Sequence, residues 1–263
     1  MNFYVTTPLY YVNDKPHIGH AYTTVAADTL ARFHRMSGDS VFFLTGTDEH
    51  GQKIFEAARK QGITPEHLAD INSEVFKKLW NDLNISYTRF IRTTEPQHEQ
   101  VVKKVFTHLL EKRALYKGQY RGYYCVHCEG YVQPDAENNG LCPDCKRPVN
   151  EISEPSYFLN ISMYKKQLEK HIAESSFVKP DFRKNEVLKM LASEMPDVSV
   201  TRKNVSWGIP APIPEQYTIY VWFDALLNYL SGIGYLYDNK LFEQYWPADV
   251  QIIGKDIIRF HDI

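Results

Sequence analysis

The alternation of buried strands with amphipathic helices, begun in the first forty or so residues, is the feature that most narrows what this chain can fold into. Phe3, Tyr4, Val5, Thr6 and Thr7 are β-branched or aromatic and predict a buried strand. Asn13, Asp14 and Pro16 break the extended run. From His17 a helical period takes over, with Tyr22, Val25, Ala26, Leu30 and Phe33 along one face until Gly38. The pattern then recurs. Residues 40–45 form an apolar run without alternation, as in a strand buried on both faces. Helices are predicted over 52–61, ended by Gly62, and over 65–83, with Leu68, Ile71, Val75, Leu79 and Leu83 inward. A short strand at 89–93 precedes a helix over 94–113 that turns Val101, Val105, Phe106, Leu109 and Leu110 inward. Strand and helix in alternation predict an α/β fold built on a doubly wound parallel sheet.

At Leu115 the character changes to antiparallel segments around glycine turns, leading into all four cysteines of the chain. Cys125 and Cys128, then Cys142 and Cys145, form two Cys-x-x-Cys pairs, with Gly130, Gly140 and Pro143 suited to the turns. Two such turns can place four thiolates tetrahedrally around one ion, and zinc in a structural role is the expected occupant because no position is left open for chemistry. Iron uses the same sulfurs, and two disulfides are the reading for a secreted chain. A strand at 157–161 and helices over 163–175 and 180–194 follow. The chain returns through Trp207-Gly-Ile-Pro210 to a strand predicted at 217–222 and a helix from Phe223 that Asp224 is placed to cap. By residue type alone Trp222 and Tyr229 read as core aromatics. A last strand is predicted at 249–254.

With 263 residues, 43% of them hydrophobic, the chain can bury one large domain with an insertion, or two domains. A formal charge of −2 offers no global attraction for nucleic acid. Any such contact would be local, through Lys103-Lys104, Lys112-Arg113, Lys146-Arg147 or Arg202-Lys203. Neither an export signal nor an apolar run of membrane-spanning length is present, so the expected location is the cytoplasm.

Chemistry concentrates where strands end. His17-Ile-Gly-His20 opens a helix, whose N-terminus attracts anions, and Gly19 leaves the backbone approachable. The strand at 40–45 runs into Gly46-Thr-Asp48-Glu-His50-Gly51, at the carboxyl end where ligands bind in open α/β sheets; Asp48 as a helix cap is the plainer alternative.

These residues, with Pro8-Leu-Tyr-Tyr-Val-Asn13 before them, resemble the class I aminoacyl-tRNA synthetases, and within them the methionyl kind with a single zinc knuckle found in bacteria. The resemblance runs in order along all 263 residues. It implies a Rossmann-like sheet interrupted by an inserted zinc-containing connective domain, with catalytic halves at 1–115 and 214–263 and the insertion at 116–213. It also implies activation of methionine by ATP to methionyl adenylate, followed by transfer to tRNA(Met). By the same resemblance, His17 and His20 are catalytic, and ATP, as a substrate with Mg2+, is held by His17, Gly19, His20, Gly254 and Asp256. Methionine would be held by Leu9, Tyr11, Asp48, Trp222, Tyr229, Phe260 and His261, and one structural Zn2+ by Cys125, Cys128, Cys142 and Cys145. No membrane enters. The family's Lys-Met-Ser-Lys-Ser loop and helical anticodon-binding domain have no counterpart here. The chain is therefore expected to be a fragment, a deliberate truncation, or one subunit of a split enzyme that pairs with a C-terminal part, and to activate methionine slowly by itself. Two alternatives stand beside this: another class I synthetase, and a binding fragment of the fold without turnover. ATP–pyrophosphate exchange across a panel of amino acids separates them.

Overall fold

The structure, a computed structural model, describes residues 1–128, 130–132, 140–143, 145–193 and 195–263. Its first half runs β1 (Asn2–Thr6), β2 (Tyr10–Tyr11), α1 (Ile18–Met36), β3 (Ser40–Asp48), α2 (Gln52–Gln61), α3 (Pro65–Asp82), β4 (Arg89–Arg92) and α4 (Pro96–Glu111). β1 and β4 flank β3 in parallel, and β2 pairs with the end of β3 past the point where β1 stops. The period of two along the strands divides the core. Phe3, Val5 and Phe43 pack with Ala27, Ala31, Phe76 and Trp80 on one face, while Tyr4, Phe42 and Leu44 meet Tyr229, Ile233 and Tyr245 on the other.

Helix positions agree with the sequence reading better than helix faces do. On α1 the expected inner residues Tyr22, Val25 and Phe33 are exposed, and Thr24, Ala27, Asp28 and Ala31 face inward. The small alanines let the helix lie close to the sheet. Asp28 is accommodated because its carboxylate accepts from Arg32 Nε (2.6 Å) and from the backbone and hydroxyl of Ser86 (2.7 and 2.5 Å). On α3, Phe76 and Trp80 are inside while Ile71 and Leu83 are outside, because the larger aromatics fill more of the space above the sheet. On α4, Val101 and Phe106 are buried as expected, joined by Val102 and His98, while Val105, Leu109 and Leu110 are half-buried.

The middle of the chain forms a second, antiparallel sheet. β5 (Leu115–Cys125), β6 (Gly130–Val132), β7 (Asn150–Leu159), α5 (Ser162–Glu174), α6 (Asp181–Ala192) and β8 (Val198–Ser199) follow in order, with the strands arranged β6-β5-β7-β8. The strand expected at 157–161 is thus the end of a longer one. Residues 129, 133–139 and 144 of the expected knuckle, and Glu194 at the expected helix end, lie outside the described residues. β9 (Thr201–Arg202) and β10 (Thr218–Ile219) pair antiparallel and return the chain to the first layer.

There α7 (Val221–Leu226), α8 (Asn228–Ser231), α9 (Asn239–Tyr245), β11 (Val250–Gln251), a short 3-10 turn (Lys255–Ile257) and α10 (Ile258–Asp262) complete the described chain. The strand expected at 217–222 covers only two residues, because the helix already starts at Val221. β11 joins β1 in parallel, on the side away from β3. Among the described residues no helix is long and apolar enough to cross a membrane.

Close packing of β3 on β4 leaves no room at Gly46, where a Cβ would stand 2.0 Å from the carbonyl oxygen of Ile91. Gly46→Ala is expected to destabilise the fold by about 1–3 kcal/mol, the usual cost of overpacking. A denaturant midpoint equal to that of the unaltered protein would show that the strands separate freely.

Candidate active site and cysteine cluster

Because β1, β3 and β11 are parallel, the segments that leave them gather at one edge of the sheet. Leu9, Tyr11, His17 and His20 follow β1, Asp48 ends β3, and Gly254 and Asp256 follow β11. His17 is the N-cap of α1. Its Nδ1 accepts from the Gly19 N–H at 3.1 Å, and Nδ1 of His20 accepts from the His17 N–H at 3.2 Å, a reciprocal capping box. The rings stack with centroids 3.8 Å apart. Each imidazole that accepts at Nδ1 carries its proton on Nε2, so the pair presents two ring donors. Burial, reinforced by the neighbouring His17, pushes the His20 pKa down to about 4 and leaves that ring neutral near pH 7.

Two expectations change here. The amides of His17 and Gly19 serve the cap, and the space over Gly19 is taken by the His17 ring, 3.0 Å from where a Cβ would stand. The open backbone is instead at Gly254, which has nothing within 4 Å of that position and lies exposed beside Asp256. Among the described residues no hydrogen bond joins the Gly254 turn to the two histidines.

The residues expected around an amino acid form contiguous pairs. Asp48 is buried and in register with Tyr11, whose hydroxyl donates to the His50 carbonyl at 2.7 Å. Trp222 stacks on Phe260, centroids 4.2 Å apart. The Tyr229 hydroxyl lies 2.8 Å from Nε2 of His261, whose Nδ1 donates to the Ile257 carbonyl at 3.0 Å. Burial raises the Tyr229 pKa and lowers that of His261, which keeps both neutral. Leu9 packs into the cluster that contains Tyr229. Asp48 does not cap α2, because Gly51 stands at that N-cap without a side-chain bond.

Asp224 departs most from expectation. Rather than capping a helix, it lies inside α7, fully buried, with Oδ2 2.7 Å from His50 Nδ1 and Oδ1 2.7 Å from His98 Nε2. The other ring nitrogen of His98 is 2.7 Å from the Ser231 hydroxyl. Nearby, buried Glu49 accepts from Thr47 and Thr94 hydroxyls, both at 2.6 Å, and from Arg92 Nε at 2.7 Å. The sequence reading missed His98, Glu49 and Arg92. A signal for His98 was available, since it sits three and four positions before Val101 and Val102 on the apolar face of its helix. Arg202, named above as a local cationic contact, is buried with its guanidinium 3.8 Å from the Tyr220 ring centroid and donates to the Ser199 and Thr201 carbonyls. It braces the return from the second sheet.

The four cysteine sulfurs lie within 4.8 Å of one another, with Cys125 and Cys145 3.5 Å apart and Cys128 and Cys142 3.8 Å apart. Four sulfurs at the usual zinc distance would be about 3.8 Å apart, so the cluster fits one tetrahedral ion. Burial pushes the Cys125 thiol up to about 11, whereas the Arg147 backbone N–H and the neighbouring sulfurs hold Cys145 below its ordinary value. A cleft of about 560 Å³ separates these turns from α2, with Lys53, Lys60, His127 and Arg147 among its walls.

A family model described as class I tRNA synthetases (M) matches residues 3–152 and 148–263. A methionine–tRNA ligase of Caldanaerobacter subterraneus is 48% identical over 263 residues, covering 99% of this chain and 41% of that protein. One from Thermotoga maritima is 47% identical over 268 residues, covering 100% and 43%. The Mycobacterium tuberculosis methionyl-tRNA synthetase in complex with methionyl-adenylate superimposes with a TM-score of 0.95 at 39% identity, covering 100% of this chain and 53% of that one. The chain thus spans about half the length, or somewhat less, of the relatives it matches.

Burial opposes charge on both members of the His50–Asp224 pair, yet each partner's opposite charge and hydrogen bond outweigh it, raising His50 above 6.5 and lowering Asp224 below 3.8. The His50 contribution to stability is complete below 6.5 and is lost as pH rises through its raised folded value. The Asp224 contribution is complete above 3.8 and is lost as pH falls through its lowered folded value. Denaturant titrations should therefore show stability declining as pH rises past 6.5. Asp224→Asn should flatten that decline and cost about 3–5 kcal/mol, as when one member of a buried pair is removed. An equal slope in the variant would place the pH dependence elsewhere.

Proposed function

This chain belongs to the class I tRNA synthetases of type M, and from that premise we propose that it is the part of a methionine–tRNA ligase that binds methionine and ATP and forms methionyl adenylate. The observation that carries the reading is the 0.95 superposition on a relative described with methionyl-adenylate bound. Methionine would lie between the Trp222–Phe260 and Tyr229–His261 pairs, with Leu9 and Tyr11 closing an apolar slot and the Asp48 carboxylate accepting from its ammonium. Aromatic contacts with the thioether contribute about 0.3–1.5 kcal/mol each.

The amino-acid carboxylate attacks the α-phosphorus of ATP. A C–O–P linkage forms, the bond to the β-phosphate bridging oxygen breaks, and the electron pair leaves with pyrophosphate. Negative charge grows on the phosphate oxygens during this step. His17 and His20 donate to them from Nε2, in place before the reaction and therefore without reorganisation. With its pKa pushed down to about 4, His20 acts as a neutral donor and not as a cation. Gly254 leaves room for the nucleoside against the backbone, and Asp256 accepts from ribose hydroxyls. Mg2+ accompanies ATP.

In the second step a terminal hydroxyl of tRNA(Met) attacks the carbonyl and AMP departs. The cationic cleft between α2 and the cysteine turns suits the approach of the RNA end. Zinc is the ion that the cluster of Cys125, Cys128, Cys142 and Cys145 would hold, with a structural part to play. The catalytic halves are 1–115 and 214–263, the insertion is 116–213, and the location is the cytoplasm. Further chain, of the kind that the longer relatives have, would complete the enzyme.

Protein prepared without chelator is expected to carry about one equivalent of zinc, as a closed four-thiolate site should. Elemental analysis finding no metal, or mass spectrometry finding two disulfides, would overturn that assignment. Calorimetry is expected to detect methionine binding that Asp48→Ala weakens by about 1.5–3 kcal/mol, the value of a hydrogen bond to a charged group. Pyrophosphate exchange that favours leucine or valine over methionine would point to a different class I synthetase.

A further inference from the structure

Three of the residues proposed to face methionine, drawn from separate segments, each stand two positions before a member of one buried network. Asp48 precedes His50, Trp222 precedes Asp224, and Tyr229 precedes Ser231. The common point of that network is His98. It is fully buried on α4 and holds Asp224 of α7 and Ser231 of α8 at 2.7 Å through its two ring nitrogens. We propose that His98 is a positioning residue for the amino-acid pocket, fixing the wall that carries Trp222 and Tyr229 against the strand end that carries Asp48. The inference rests on the assignment of that pocket to methionine given above.

The chemistry makes this arrangement specific. Asp224 offers only acceptors, so His98 donates from Nε2, which leaves Nδ1 to accept from the Ser231 hydroxyl. That hydroxyl is also 3.5 Å from the Asn228 carbonyl, a much longer contact that competes poorly. With both nitrogens engaged, the ring has one orientation and spans the break between α7 and α8 at Leu227. The opposite oxygen of Asp224 holds His50, so a displacement of His98 is transmitted to both sides of the pocket. Packing alone gives no reason for an imidazole here. The neighbouring inward residues Val101, Val102 and Phe106 are apolar, and an apolar side chain would fill the same space without desolvating a polar ring. What the imidazole adds is a fixed distance between two helices.

Calorimetry of methionine and of adenosine with this chain tests the proposal on three variants, beside an NMR reading of the Trp222 indole N–H. In His98→Leu, methionine affinity should fall about tenfold, the effect of losing a hydrogen bond to a charged group. Adenosine affinity should stay within about twofold, as expected for a separate subsite. His98→Gln, which offers one donor and one acceptor at similar reach, should recover most of the loss, and Ser231→Ala should show part of it if His98→Leu fails to fold. The indole resonance should move in His98→Leu and return in His98→Gln, with or without ligand. Unaltered methionine affinity in a folded variant, equal losses for both ligands, or an unmoved indole resonance would each overturn the positioning role. An unaltered protein that binds no methionine, yet whose indole responds to the substitutions, would instead overturn the methionine assignment and leave the wall-fixing role standing.

Discussion

One buried carboxylate, Asp224, ties distant parts of the parallel-sheet layer together. A charge in the interior is costly unless opposite charge and hydrogen bonds surround it, and Asp224 obtains a hydrogen bond from each of His50, just past β3, and His98 on α4, with the opposite charge supplied by His50. These partners come from the first half of the chain, whereas Asp224 comes from after the second sheet, so the bond can form only once that sheet has returned the chain to the first. Apolar side chains could fill the volume, but they would not specify which face of α7 turns inward or how far it stands from α4. The direction of these bonds does.

That constraint positions an otherwise open edge. In a parallel sheet all carboxyl ends lie together, which collects groups from distant parts of the sequence but does not set their spacing. The spacing comes from side-chain bonds made on the way out of each strand. Tyr11 holds the His50 carbonyl, Trp207 Nε1 donates to the Glu49 carbonyl at 2.6 Å, and Glu49 is fixed by Arg92. The two residues after Asp48, Glu49 and His50, are therefore each tied to other elements. At α1 the histidine pair caps its own helix, so the groups proposed to meet phosphate also determine where that helix begins.

The second sheet brings its own fixings. Arg202 lies under Tyr220 and satisfies carbonyls of Ser199 and Thr201 where β9 meets the parallel-sheet layer, while the four sulfurs gather at the opposite end. One end buries a cation against an aromatic face, and the other gathers four sulfurs, among them the Cys125 thiol that burial makes harder to ionise. The sheet between them can transmit position because β5 and β7 pair continuously from Leu115 with Leu159 to Tyr124 with Asn150.

Local chemistry was legible in the sequence wherever a residue type has few alternative uses. Two Cys-x-x-Cys pairs, a glycine between two histidines at a helix start, and an acidic cluster at a strand end could be recognised, as could the alternation of strands and helices. Periodicity located α1 and α3 and placed Leu30, Leu68 and Leu79 against the core, but turned part of each face wrongly. Apolar Tyr22, Val25 and Phe33 outweighed Ala27 and Ala31 in the reading, whereas close approach to the sheet favours small side chains and leaves the large ones outside. Asp224 looked like a cap because an Asp near a helix start commonly is one. Only the tertiary structure could give it two imidazole partners 174 and 126 positions away, since a buried charge is stabilised by groups that meet in space and leave no mark in the local pattern. The sequence by itself determined which chemical groups the chain carries and near which strand ends they fall. Their distances, tautomers and charge states were decided by burial and by partners that only the folded chain brings together.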